Sequence, residues 1–154
     1  LSWVTEDEVV RAQRLFDAVS PQYVVHWAAE QLATGRDDDE LVWLASTEDD
    51  SAFAIDEHLD RLLADQDIAT PDEERATLVV AYAVSIEILN GSIGPYTGAK
   101  RILAWTSSTG PPDQNITAFI ALVDFWEDGD GTHEKVEAQI LDEARWLVNH
   151  VRGT

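Results

Sequence analysis

TPDEERATLVVAYAVSIEILNG, Thr70–Gly91, is the stretch whose reading decides the fold. Thr70 reads as a cap, Pro71 as the first helical position and Glu73 as the acid that completes a start signal. Asn90-Gly91 closes the segment with a glycine stop. Between them Leu78, Val79, Val80, Tyr82, Val84, Ile86, Ile88 and Leu89 leave no polar face. Several of these residues are β-branched, which also suits a strand. The length and the punctuation at both ends select a helix. A helix apolar on every side is a central one, surrounded by others. The pattern therefore predicts a buried helix over about 71–90.

Working outward, the flanking sequence is helical throughout. Thr5 and Glu8 form a capping box before a helix over about 6–19, with Val9, Ala12, Phe16 and Val19 on one face. Ser20-Pro21 opens a second helix with Val24, Trp27, Ala28 and Leu32 inward, and Gly35 stops it. A short helix over about 38–45 presents Leu41, Trp43 and Leu44. A fourth, over about 51–65, presents Ile55, Leu59, Leu62 and Leu63. Gly94-Pro95 opens a sixth over about 95–105. The run from Thr106 to Asn115 is a loop by its Gly-Pro-Pro content. A seventh helix, over about 113–127, carries Ile116, Phe119, Ile120, Val123 and Trp126 on one face. Thr132 caps the last, about 133–151, with the stripe Val136, Ile140, Ala144, Leu147, Val148 and Val151.

No alternating run reads as a strand. The expected architecture is all-α: one domain over 1–154, a compact orthogonal bundle of seven or eight helices around the 71–90 helix. A short α-solenoid is the alternative, from hairpin spacings of roughly 40 residues.

Composition narrows the function classes. The chain has 154 residues, 30 acids against 10 lysines and arginines, and a formal net charge of −20. Such a surface repels phosphate backbones and anionic membranes, so neither nucleic acid nor membrane is an expected partner. A basic protein is. The absence of cysteine removes disulfides, thiolate metal sites and thiol nucleophiles. The most apolar stretch, Ala76–Leu89, is shorter than the ~20 residues a bilayer span needs. Glu6-Asp7-Glu8 stand where a leader would have a basic region. A cytoplasmic protein is expected, with a removed leader left open because the chain begins at Leu1.

Candidate chemistry is sparse. Asp37-Asp38-Asp39-Glu40 and Glu48-Asp49-Asp50 are the candidate partner-binding acids; the same acids also suit helix starts and solvation. Asp128-Gly129-Asp130-Gly131 suggests calcium but fails the EF-hand template, since position 6 is His133 and position 12 is Gln139. His26 and Glu30 are spaced as a two-ligand step, without a His-Glu-x-x-His motif. No metal and no cofactor is expected, and no nucleophile elbow, phosphate loop or dinucleotide fingerprint is present. Of six tryptophans, Trp3 lies before the first helix and Trp146 lies off the centre of its helix's apolar stripe, and either could dock an adjacent element or a partner.

Two resemblances qualify this reading. Arg145 and His150 resemble the Arg-x4-His pair of HEPN-type ribonucleases, small all-α domains that act as dimers. That resemblance implies RNA cleavage by Arg145 and His150 and a homodimer. Five residues along one helix leave the two side chains about 140° apart, and Trp146 stands where the family has a polar residue. The segment Ile88-Leu-Asn-Gly91-Ser-Ile93-Gly-Pro95-Tyr96-Thr-Gly98-Ala99-Lys-Arg-Ile102 resembles uncharacterised helical proteins of actinobacteria, and Trp27–Leu44 resembles their amino-terminal half. Thr97 replaces the usual acid, and this resemblance implies fold rather than function. The chain is thus expected to be a non-catalytic, immunity-like or regulatory protein-binding module. The HEPN-like ribonuclease and a salt-adapted structural domain are the alternatives. The last predicts acids spread evenly over the surface.

Overall fold

The computed structural model describes residues 4–16, 19–47, 52–65, 71–106, 113–129 and 132–153. Among these residues there are eight helices and no strand. The helices are α1 (Glu6–Leu15), α2 (Pro21–Ala33), α3 (Asp39–Ser46), α4 (Ala52–Asp65), α5 (Glu73–Leu89), α6 (Pro95–Trp105), α7 (Thr117–Asp128) and α8 (His133–Gly153). The chain is all-α, as the periodicity requires. Backbone contacts divide it into two units, residues 1–17 with 71–154 and residues 18–70.

The larger unit is organised by α5, which packs against α1, α6 and α8. Nine of its residues are buried, from Ala76 to Ile88, which is the central position that an all-apolar helix demands. The α8 stripe Val136, Ile140, Ala144, Leu147, Val148 and Val151 is buried in full, and Ile116, Phe119 and Val123 join the same core. Arg75 of α5 reaches Glu8 of α1 with Nε and Nη2, at 2.6 and 3.0 Å, a forked ion pair that fixes how the two helices meet.

The smaller unit is three helices, α2, α3 and α4, each packed on the other two. Val24, Trp27, Ala28, Leu41, Leu44, Ile55, Leu59 and Leu62 form its interior. The starts of α1 and α2 follow the capping rules. Thr5 Oγ1 accepts from the Glu8 N–H and Ser20 Oγ from the Tyr23 N–H. At the end of α5, Gly91 takes a left-handed φ of 82° and returns its N–H to Ile88 O, while Ser92 N–H reaches Glu87 O. This double bond pattern satisfies carbonyls the helix would leave open. Gly35 ends α2 in the same way.

Three helix boundaries differ from the sequence reading. The α5 cap is Asp72, whose carboxylate accepts from the Arg75 N–H at 2.8 Å; Thr70 lies outside the described residues. A carboxylate is the stronger cap because it adds charge to the hydrogen bond. α1 ends at Leu15, short of Val19. α7 begins at Thr117 because Asp113 competes with the helix. Its carboxylate accepts from the Asn115 N–H, its carbonyl accepts from Ile116 N–H and Thr117 Oγ1, and the segment closes as a turn.

Candidate functional site

The acids are not spread evenly. Residues 18–70 carry thirteen acids and two arginines, a net charge of −11 on 53 residues. The remaining 101 residues carry seventeen acids and eight lysines and arginines, a net charge of −9. Charge density in the smaller unit is therefore more than twice that in the larger.

Within the smaller unit the few cations are already engaged by its own groups. Arg36 donates to Gln31 Oε1 at 3.0 Å and lies 3.5 Å from Asp38. Arg61 pairs with Glu57 one turn away. His26 pairs with Glu30 at 3.0 Å, so these two residues engage each other on an exposed face. Asp37, Asp38 and Asp39 are all exposed. Asp38 occupies the cap position of α3, yet its side chain makes no capping hydrogen bond. Asp37 and Asp39 have no ion pair among the described residues. Glu40 differs from its neighbours. It is half-buried and meets His58 Nδ1 of α4 at 2.5 Å, and the His58 ring stacks on Trp43 with centroids 3.6 Å apart. Glu40 and Trp43 thus clasp α4 against α3. Glu48, Asp49 and Asp50, like Trp3, lie outside the described residues.

Arg145 and His150 sit on the exposed side of α8, each with a different neighbour. Arg145 pairs with Asp142 at 2.7 Å. His150 stacks on Trp146, centroids 4.8 Å apart and planes within 8°. Gly129 closes α7 with a left-handed φ of 71°, and Asp130 and Gly131 lie outside the described residues. Among the described residues no group of three His, Asp or Glu is arranged to hold a metal ion, and no helix is long and apolar enough to cross a membrane.

A second cluster joins α6, α7 and the start of α8. Tyr96, Trp126 and His133 form a three-ring stack, with centroid spacings of 4.6 and 3.7 Å. Tyr96 Oη donates to Glu127 Oε1 at 2.8 Å, and Lys100 Nζ reaches the same oxygen at 2.8 Å. The Glu127 hydrogen bond, then the Tyr96 hydroxyl, raise the Lys100 ammonium well above the ordinary lysine range. Lys100, then Tyr96, lower the Glu127 carboxyl. The arrangement neutralises one of the chain's two lysines and staples three helices. Sequence spacing hides it, because Tyr96 and Glu127 are 31 residues apart. The one visible signal was Tyr96 and Lys100 at i, i+4.

Comparison with models of known families, with curated proteins and with solved structures finds no match for this chain.

Proposed function

We propose that this chain is a non-catalytic protein-binding module and that residues 18–70 dock a basic protein. The observation that supports the reading is the uneven charge. A salt-adapted surface would distribute its acids, whereas a net −11 is concentrated in 53 residues whose two arginines already serve its own side chains. Asp37, Asp38 and Asp39 stand exposed at the start of α3, where the helix N-terminus would itself favour acids. That local role accounts for acids near the terminus; it does not account for a twofold difference in charge density.

Attraction of this kind speeds encounter and weakens as salt screens it, over a Debye length of about 10 Å at 0.1 M. The test compares proteins captured by the wild-type chain with those captured by two charge-matched variants. Replacing Asp37, Asp38 and Asp39 with asparagine removes three acids from the smaller unit. Replacing Asp124, Asp128 and Glu134 with their amides removes three exposed acids from the larger. The reading expects a basic partner that is lost with the first set, kept with the second, and released by added salt. A partner held equally by both variants, or held independently of salt, refutes it.

A further inference from the structure

We infer that the exposed face of α8 centred on Trp146 pairs with the same face of a second copy of this chain, the two helices running antiparallel about a two-fold axis at Trp146. α8 buries one stripe and leaves the opposite face open. At 100° per residue, Gln139, Asp142, Asn149 and His150 all lie within about 60° of Trp146, and all are exposed. Trp146 is 50% exposed, unusual for the largest side chain, and its ring is held flat against His150 by the parallel stack. An aromatic already ordered in this way loses little freedom on association, which is the property of an interface anchor.

The charge pattern around Trp146 is complementary to itself. Asp142 lies four residues before Trp146 and His150 four residues after it. In an antiparallel pair with Trp146 opposite Trp146, each Asp142 faces the second copy's His150. An imidazole N–H donates to a carboxylate there, and the symmetry makes the contact twice. Asp142 is poised by its ion pair with Arg145 while its side chain remains 75% exposed. Over residues 139–153, the span that the pairing matches with itself, Asp142 and Glu143 are balanced in charge by Arg145 and Arg152. A single helix-on-helix contact lies in the small interface class, so the dimer is weak and concentration-dependent.

Sedimentation of the full chain over a range from low micromolar to submillimolar concentration tests the pairing. The mass should rise from the 17.1 kDa of one chain towards twice that value. Added salt should strengthen the dimer, because it screens the repulsion between two chains of net charge −20. Basic-partner docking has the opposite salt dependence, so either reading can fail without the other. Trp146→Ala should weaken the dimer by at least about tenfold, the scale of an aromatic anchor. Asp142→His or His150→Asp alone should weaken it, and the two together should restore it. Because the chain has no cysteine, Glu143→Cys together with Asn149→Cys gives a direct reporter that keeps the Trp146 anchor, since residue 143 of one copy faces residue 149 of the other. This reporter should oxidise to a disulfide dimer, whereas Ala138→Cys should not, since the two copies of residue 138 would sit about 24 Å apart along the pair. Circular dichroism confirms that each variant keeps its helices. A monomer at every concentration, a dimer indifferent to Trp146→Ala, or equal cross-linking at 138 overturns the proposal.

Discussion

Gly98 of α6 lies against Ile88 of α5 so closely that a Cβ built on it would stand 2.6 Å from Ile88 Cδ1. Ile88 is buried at the end of the central helix and has little room to yield. Gly98→Ala combines two opposed effects, a helix-propensity gain of about 1 kcal/mol and an overpacking loss of about 1–3 kcal/mol. The expected net result is a loss of about 1 kcal/mol, and Gly98→Val should lose more. Urea unfolding of the two variants checks the gradient. A more stable Gly98→Ala would mean that α6 can move away from α5 without penalty.

The Glu8–Arg75 fork predicts a larger effect. Both side chains are three-quarters or more buried, and both donor nitrogens meet separate carboxylate oxygens. Arg75→Ala leaves the largely buried Glu8 carboxylate without its guanidinium and should lose about 2 kcal/mol. Arg75→Lys should recover only part of that loss, because an ammonium cannot make the fork. Thermal unfolding of the two variants beside the wild type measures the difference. Equal stability of the lysine variant would show that charge alone holds α1 on α5.

Much of this fold follows from periodicity, and the pattern of success has a physical reason. The α8 stripe from Val136 to Val151 is legible because every third or fourth residue is apolar and the helix has one buried side. Thr5 and Ser20 are legible because a cap depends on residues only three apart. The start of α5 is less so, because Pro71 fits either just inside a helix or just before its cap, and the cap of α5 is Asp72. The tertiary clusters left no local trace. His58 finds Glu40 across 18 residues, and Glu127 finds Tyr96 across 31, so no spacing rule could pair them. The acid count was plain in the sequence. Its concentration in residues 18–70 depends on how backbone contacts divide the chain, which no local spacing encodes.

The Lys100–Glu127 pair should give stability a pH dependence with a definite sign. Glu127 is lowered from 4.5 in the folded chain, so its contribution is present above that value and is lost as pH falls through the folded value. Lys100 is raised, so its contribution persists below 10.5 and is lost only as pH rises through its own folded value. Glu127→Gln should therefore unfold at a lower temperature than the wild type at neutral pH, and the two should converge well below pH 4.5. Both side chains are exposed, so added salt should shrink the neutral-pH difference. A difference that survives strong acid would assign the loss to packing of the Tyr96–Trp126 stack instead.

Glu143 should behave in the opposite sense. Its carboxyl is raised from 4.5 because α8 holds it partly away from water, which disfavours the charged form. Ionised Glu143 therefore opposes folding, and stability from this group grows as pH falls through the folded value towards 4.5. Glu143→Gln keeps the shape without the charge. It should unfold at a slightly higher temperature than the wild type at pH 7, and the advantage should vanish in acid. The same substitution lies beside Asp142 and three residues from Trp146, so its effect on self-association can be read from the same samples. If the amide lowers stability at neutral pH, the carboxylate must be making a favourable contact that outweighs its desolvation.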